Sequence, residues 1–303
     1  MAEQKIFLRG KGNVVQEEGR TAPVDVRDAA PSDRGRIATL IHFEQYVHRH
    51  LGWRSPVEWL GKQPFLVAEQ GDTLQAALAC PPDPPEVAWL HLFAARGWDE
   101  IEQYWDTLWE RAYHVLQESG VQVGAALPQY PWVVRLLQRG GFEAHSRVIM
   151  LSWDQPVAPV AAGIRDGRIR PMTLDDLDDV AAVDAAAFDL LWRHSRGTLH
   201  RAYQQASVAT VAEKDGKIVG YQISTATGHW GGHLARLAVL PEMQGQGVGG
   251  ALVRDVLQRF THKRIGHITV NTQHDNAASL RLYKKLGFRL TGEHLTIYTC
   301  PVA

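Results

Sequence analysis

The stretch Leu234–Gly266, LARLAVLPEMQGQGVGGALVRDVLQRFTHKRIG, decides the fold of this chain. Its apolar run, Leu237–Leu240, ends at Pro241 and leads into a glycine-rich loop, Gln244–Gly250, after which apolar residues recur at helical spacing. The order of strand, glycine loop and helix predicts a phosphate cradle, because unpaired N–H groups at a helix start face an anion and glycine lets the main chain approach it. A tight turn between a strand and a helix explains the same residues, so the loop alone leaves both interpretations open.

Two familiar types of phosphate-binding loop do not fit these residues. The Gly-Lys-Ser/Thr ending that holds a nucleoside triphosphate is missing, and no acidic residue follows at the spacing expected for a dinucleotide ribose. The loop instead has the pattern Gln-x-x-Gly-x-Gly at Gln244, Gly247 and Gly249. With the strand before it, this pattern resembles the acyl-CoA-binding motif of the GNAT acyltransferase superfamily.

A second stretch, VNTQHDNAASLRLYKKLGF, strengthens the resemblance, because Asn276, Tyr283 and Gly287-Phe288 stand in the order of that family's second signature. The resemblance implies a mixed α/β fold with a mostly antiparallel sheet and acetyl-CoA as the co-substrate. The periodicity of the second half agrees with such a fold. Strands are predicted near Ile169–Arg170, Ala209–Glu213, Ile218–Thr225, His233–Leu240, Ile268–Thr272 and His294–Thr299, and helices near Leu174–Phe188, Gly247–His262 and Ala277–Leu286.

The chain also repeats itself once. Arg27 matches Arg170, 143 residues on, and Arg135 matches Arg281, 146 residues on. Such a unit is far too long for a solenoid repeat, so the pattern predicts two tandem GNAT domains, with a chance likeness of two α/β halves as the alternative. The predicted divisions are an N-terminal arm or hairpin over 1–23, a GNAT-like domain over 24–154, a Pro/Ala-rich linker over 155–167 and a second GNAT domain over 168–303.

The first copy lacks the residues that would carry cofactor chemistry. After its matching strand it reads ARGWDE at Ala95–Glu100, with one glycine and two acidic residues. Leu137 stands at the position that matches Tyr283, and Tyr130 at the position that matches Asn276. We therefore predict that the first domain is degenerate and keeps only the scaffold.

The resemblance assigns cofactor binding to three parts of the second copy. The loop would donate N–H groups to the pyrophosphate of coenzyme A, assisted by the helix dipole. The preceding strand, splayed open by Pro241, would pair with the pantetheine arm, and the Val239 N–H would stabilise the oxyanion. The residues expected to bind the cofactor are Leu237, Ala238, Val239, Gln244, Gly245, Gln246, Gly247, Val248, Gly249, Gly250 and Asn276, and no metal is expected.

Tyr283 is the expected catalytic acid, because the family resemblance places a tyrosine where it protonates the leaving thiolate. Its spacing with Leu280 and Leu286 is equally typical of a core tyrosine on one helix face. The general base is less defined, since the cofactor strand offers no acid. His233 is the expected candidate, because histidine titrates near neutrality, and relay through bulk water is the alternative.

The acceptor is expected to be a small primary amine, such as a polyamine or an amino acid, rather than a protein. Asn271 stands where some protein-acetylating relatives carry a glutamate, and a second domain could wall the acceptor cleft. His229 and Glu242 are further candidates for the base. Two groups of residues could contact the acceptor, namely Trp230 in a glycine-rich hairpin and the set Asp189, Trp192, Arg193 and His194.

Composition sets the remaining expectations. The 303 residues include 32 basic and 33 acidic side chains, so no bulk attraction to nucleic acid or to an anionic membrane is expected. Cys80 and Cys300 show no metal-ligand spacing, and no apolar run approaches the roughly 20 residues of a membrane helix. We expect a cytoplasmic protein, either a monomer with paired domains or a homodimer. The alternative function is a non-catalytic acyl-CoA-binding or regulatory module, although such a sensor would not need the Tyr283 hydroxyl.

Overall fold

A computed structural model of the chain describes residues 24–155, 157–160, 163–228 and 231–302, and the expected arm over 1–23 lies outside them. No helix within these ranges is long and apolar enough to span a membrane. The strands are β1 (Val24–Asp28), β2 (Tyr46–Arg49), β3 (Phe65–Gln70), β4 (Thr73–Ala79), β5 (Val87–Trp89), β6 (Leu92–Ala95), β7 (Val123–Ala126), β8 (Glu143–Trp153), β9 (Gly167–Pro171), β10 (Val208–Lys214), β11 (Lys217–Thr227), β12 (Gly231–Val239), β13 (Ile268–Gln273) and β14 (Arg289–Pro301). The helices are α1 (Arg34–Phe43), α2 (Ile101–Glu118), α3 (Pro131–Arg139), α4 (Leu177–Ala187), α5 (Arg196–Gln204), α6 (Val248–His262) and α7 (Ala277–Lys285).

All strands and helices predicted for the second half form, with small differences at their ends. α5 was not predicted, because its apolar spacing is weak and only Leu199 and Ala202 are buried. Most strand pairs are antiparallel, and the helices cross between strands, as the predicted mixed α/β fold requires.

The described strands form two sheets. A five-stranded sheet has the order β1-β3-β4-β6-β2, and a nine-stranded sheet has the order β5-β7-β14-β8-β13-β12-β11-β10-β9. The larger sheet contains strands of both halves. Its two halves are joined through the antiparallel pair of β8 and β14, along which residues 143–152 lie opposite residues 289–299.

Each half gives its last strand to the other half. β8, from the first half, pairs with β13 of the second half, while β14 pairs with β7 of the first half. The predicted domain limits, 24–154 and 168–303, assign residues 143–153 to the first domain. In the structure these residues form β8, which pairs with β13 of the second half. The limits themselves stay a prediction.

The two halves repeat the same ion pairs at the start of their folds. The Arg27 guanidinium contacts Asp33 at 2.7 Å and Glu69 at 2.8 Å. Arg170 contacts Asp176 and Glu213, each at 2.7 Å. The arginine in each pair holds the pKa of its aspartate at about 2, so the bridge persists at all ordinary pH values. This equivalence agrees with the repeat in the sequence.

Histidines of both halves meet where α5 packs against the first half. The His50 and His91 ring centroids lie 5.5 Å apart, and His48 Nε2 lies 3.2 Å from the Leu90 carbonyl oxygen. Burial lowers the pKa of His48 to about 4 and that of His50 to about 3. Burial also lowers the pKa values of His91 and His194 well below their ordinary range, so all four rings are neutral at pH 7.

Fragments of the second half should reveal the strand exchange. A fragment starting at Arg168 lacks β8 and leaves the facing edges of β13 and β14 unpaired, so we expect it to aggregate. A matched fragment starting at Gly141 retains β8 and should remain more soluble, as measured by size-exclusion chromatography. Equal solubility and equal monomer content of the two fragments would show that β8 is dispensable.

Acid should destabilise the fold around the buried histidines. The folded pKa of His48 lies below the value of about 6.5 in an unfolded chain, so its contribution is complete above pH 6.5 and is lost between pH 6.5 and 4. That shift corresponds to roughly 3 kcal/mol. We expect the thermal midpoint to fall over this range, and His48→Gln to flatten the fall. His145→Gln, at an exposed position, is the control and should leave the pH profile unchanged.

Candidate active site

The strand before the glycine loop separates from its neighbour part of the way along. β12 pairs in parallel with β13 only over Gly232–Leu234. β12 then bulges at Ala235, where its register against β11 shifts, and such bulges bend a strand. From Arg236 onward no described strand pairs with the β13-side edge of β12. The gap therefore opens at this bulge, and Pro241, to which the sequence analysis attributed the opening, lies beyond it.

The free edge of β12 presents N–H groups to this gap. The Leu240 N–H donates to the Val219 carbonyl on β11 at 3.0 Å. Because successive residues of a strand alternate between its two edges, the N–H groups of Leu237 and Val239 point into the gap, while that of Ala238 faces β11. The Val239 carbonyl accepts a bond from the Gln244 side chain at 3.2 Å. The expected pairing edge for an extended ligand is therefore present.

The glycine loop adopts the shape of an anion cradle. Gly247 caps α6 with a φ of +86°, a left-handed conformation that favours glycine, and α6 begins at Val248. The Gln246 side chain is held back on the preceding residues, because it donates to the Glu242 carbonyl at 2.8 Å. Gly245 also has a positive φ, of +75°. Glycine at both positions lets the loop turn onto the helix without strain.

The main-chain donors of this loop are free. Among the described residues, none of the N–H groups from Gly245 to Gly250 has a hydrogen-bond partner, and Ala251 is the first to bond, to the Gly247 carbonyl at 2.9 Å. Unpaired N–H groups at a helix start together with the helix dipole bind anions. A Cβ on Gly249 would lie 3.4 Å from a Leu282 methyl group, so α7 lies directly behind the loop.

Tyr283 on α7 is buried, with 4 % of its surface exposed, and its ring packs 5.5 Å from that of Phe288. Burial raises the pKa of its hydroxyl well above the ordinary value, so the hydroxyl stays protonated at neutral pH. The core position that spacing indicated is therefore confirmed.

Asn276 and His233 both have defined partners. The Asn276 side-chain oxygen accepts the Ser279 N–H at 3.0 Å and caps α7. His233 Nδ1 lies 2.8 Å from the Thr269 hydroxyl, and burial lowers the pKa of its ring. Adjacent side chains of a strand point to opposite faces of the sheet. Leu234 packs in the same cluster as Tyr283, so the side chain of His233 lies on the face away from Tyr283.

A buried charge network, which the sequence analysis missed, supports the bulged strand. The Arg236 guanidinium contacts the fully buried Asp184 carboxylate at 2.6 Å and donates to the Trp192 carbonyl at 2.6 Å. Asp184 also accepts bonds from the Tyr221 hydroxyl and, at 2.8 Å, from the His194 N–H. Removing one partner of such a pair typically costs 3–5 kcal/mol. An aspartate on the apolar face of the predicted helix was the signal that could have found it.

The acceptor-side residues are only partly brought together. Trp192 and His194 are tied to the network, and Arg193 bonds to the Phe188 carbonyl at 3.0 Å. Glu242 is exposed beside the glycine loop. His229 and Trp230 lie outside the described residues. No cluster of three or more metal-ligating side chains occurs in the described ranges.

In the first half, a strand occupies the position of the gap. There the counterpart of β12 is split into β5, which pairs in parallel with β7, and β6, which pairs with β2. β2 runs along the free edge of β6, with Tyr46 opposite Ala95 and Arg49 opposite Leu92. The edge that is open in the second half is therefore already paired in the first.

Residues 177–288 match the model of the Acetyltransferase (GNAT) family. An uncharacterized N-acetyltransferase, MJ1530, of Methanocaldococcus jannaschii is 31 % identical over 40 % of this chain and 77 % of its own length. A putative [ribosomal protein bS18]-alanine N-acetyltransferase of Bacillus subtilis is 27 % identical over 43 % of this chain and 86 % of its own length. Mycothiol acetyltransferase of Amycolatopsis mediterranei is 28 % identical over 52 % of this chain, which spans 59 % of that relative.

The overall architecture is also found in a solved structure. A tandem GNAT protein from the clavulanic acid biosynthesis pathway superposes with a TM-score of 0.60 at 16 % identity, over 93 % of this chain and 99 % of that one. The fold and the relatives define an acyltransferase. The chain belongs to the GNAT acetyltransferase family, whose members use acetyl-CoA.

Coenzyme A should bind once per chain, because within the part of the chain that the structure describes only the second half has an open edge beside free loop N–H groups. Gly249→Glu should abolish binding by bringing a carboxylate close to the loop N–H groups, where it would repel the pyrophosphate, whereas the new Cβ meets only ordinary contacts. Gly35→Glu is a matched control, since Gly35 is likewise the second residue of its helix and faces open space. Calorimetry with two equivalent sites, or full binding by Gly249→Glu, would contradict the assignment.

Proposed function

We propose that the second half transfers the acetyl group of acetyl-CoA to a primary amine by direct attack. The observation that carries the proposal is the run of free N–H groups from Gly245 to Gly250 beside an unpaired strand edge. If the loop were only a structural turn, its N–H groups would bond to the protein or to water. Nothing would then require the edge of the neighbouring strand to stay unpaired as well. Acetyl-CoA supplies the acetyl group as a thioester, which amines attack readily.

The residues present fit such a co-substrate. The loop N–H groups would hold the pyrophosphate, and the edge at Leu237 and Val239 would pair with the amides of the pantetheine arm. The Val239 N–H, aimed into the gap, would also stabilise negative charge on the carbonyl oxygen in the transition state. The Asn276 side-chain oxygen caps α7, and its amide nitrogen donates one hydrogen to the Gln273 side-chain oxygen at 3.4 Å, which leaves the second N–H of that nitrogen for the ligand.

Tyr283 and His233 fit the two proton transfers. The Tyr283 hydroxyl stays protonated at neutral pH, as a general acid for the leaving thiolate must be. The His233 ring is neutral at pH 7, so it has a free lone pair for the amine proton, taken directly or through water. It lies on the face of the sheet opposite to Tyr283, so the acid and the base would act from different sides. Its ring hydrogen bond to Thr269 would fix the tautomer.

A small amine is the acceptor we propose. Trp192 and His194 of the second half lie against aromatic and histidine side chains of the first half, with the Trp89 and Trp192 ring centroids 6.2 Å apart. Contact with the first half on this side would limit access and so favours a small molecule over a protein terminus. The bS18-alanine relative favours the protein alternative, so both acceptor types belong in the assay.

Replacing Tyr283 by phenylalanine should separate catalysis from binding. We expect turnover to fall by roughly 10²–10⁴, the usual scale for loss of a general acid, while coenzyme A affinity stays within a few-fold. Thiol release with a panel of amines measures turnover, and calorimetry measures affinity.

Tyr113→Phe is the control, because the Tyr113 hydroxyl donates to the Pro301 carbonyl at 3.2 Å, away from the gap. Unchanged turnover in Tyr283→Phe would make Tyr283 a core residue only. Tight coenzyme A binding without thiol release from any amine or peptide would favour the non-catalytic module.

A further inference from the structure

A second cleft lies in the first half, apart from the groove of the second. It has a volume of about 530 Å³ and is bordered by residues 49–56, by Gln129 and Tyr130 at the start of α3, and by Gln205 at the end of α5. The Gln205 side chain closes the cleft by donating to the Trp53 carbonyl at 2.6 Å. Tyr130 matches Asn276 in the repeat, so the cleft stands near the position that the second half offers to its cofactor.

The charges around this cleft do not cancel. Arg49, Arg54 and Glu58 line it. The Glu58 carboxylate is already held by Arg201 at 3.1 Å and by the Ser55 N–H at 2.8 Å. Arg54 also attracts the Glu58 carboxylate, although the two form no ion pair within 4.0 Å. The lining therefore has two positive side chains and one negative side chain, and the negative one is already held by Arg201, so positive charge is in excess.

Arg54 is held in a fixed plane. Its guanidinium lies 4.7 Å from the ring centroid of Trp59, and Trp59 stacks on His91 at 4.1 Å. Trp59 is 5 % exposed, so the platform is part of the core. Stacking of this kind orients the donors of an arginine for bidentate contact with a planar anion.

Several polar atoms around this platform are buried and unpaired. Among the described residues, Arg54 Nε, Trp59 Nε1 and His50 Nδ1 have no hydrogen-bond partner. Buried donors without partners are rare in folded proteins, because each has lost its water without gaining a bond. Acceptor atoms supplied by a bound molecule would satisfy them.

We propose that this cleft binds a small carboxylate ligand, with Arg54 as the bidentate partner and Arg49 as a second positive charge. The site is separate from the gap at β12, since no residue of β12, the glycine loop or α7 borders it. The proposal does not depend on acetyl transfer. It gives the first half, which has lost the cofactor loop, a ligand of different chemistry.

Calorimetry with the full chain and succinate as the probe tests the proposal. We expect saturable binding of one succinate per chain, no binding of the uncharged succinamide, and weaker binding of inorganic phosphate. Arg54→Gln should weaken succinate binding at least ten-fold. Arg54→Lys should weaken it several-fold, because an ammonium is a point charge and cannot contact both oxygens in one plane. Arg111→Gln is the control, since Arg111 lies on α2 in an exposed pair with Asp28.

Coenzyme A affinity separates this site from the cofactor groove and from misfolding. It should be unchanged in both Arg54 variants and in the presence of saturating succinate. Three results would overturn the proposal: succinate that binds Arg54→Gln as well as it binds the unaltered chain, succinate that coenzyme A displaces, and no succinate binding at millimolar concentrations. Phosphate that binds as tightly as succinate, with the same dependence on Arg54, would overturn the assignment to carboxylates.

Discussion

The antiparallel pairing of β8 with β14 is the constraint on which the rest of the structure depends. These strands are the last of their respective halves, and each also pairs with the penultimate strand of the other half. The nine-stranded sheet is therefore one hydrogen-bonded unit that contains strands of both halves. Because a strand at a sheet edge exposes unpaired main-chain groups, neither half can retain its own edge protection once separated. The interface is thus built from main-chain bonds, which tolerate changes in side chains.

The equivalent strand edges of the two halves differ, since the edge of β12 is open and the edge of β6 is paired. In the second half the bulge at Ala235 opens it, and the Asp184–Arg236 pair fixes the bulged strand from the α4 side. In the first half β2 covers it with a regular antiparallel ladder. An open edge is costly unless a ligand pairs with it, so a half that has lost its cofactor loop gains stability by closing the edge with its own chain. Degeneration of the first half is in this sense a structural adaptation.

Local chemistry explains what the sequence could predict and what it could not. The glycine loop, the start of α6 and the burial of Tyr283 were predictable, because each depends on residues within one short stretch. The equivalence of Arg27 and Arg170 was predictable from the repeat, although the ion pairs that they form were not. The exchange of β8 and β14 was not predictable, since a strand's apolar alternation does not say which partner it will take. The cause of the gap was misassigned to Pro241 because a bulge leaves no signal in the single residue Ala235.

The exchange also fixes an order of events during synthesis. The chain leaves the ribosome from its N-terminus, so β7 is complete long before its partner β14 has been made. At ordinary elongation rates this delay lasts roughly ten seconds or more. During this time β7 has a free edge, and the sheet becomes continuous across the two halves only when β14 inserts between β7 and β8.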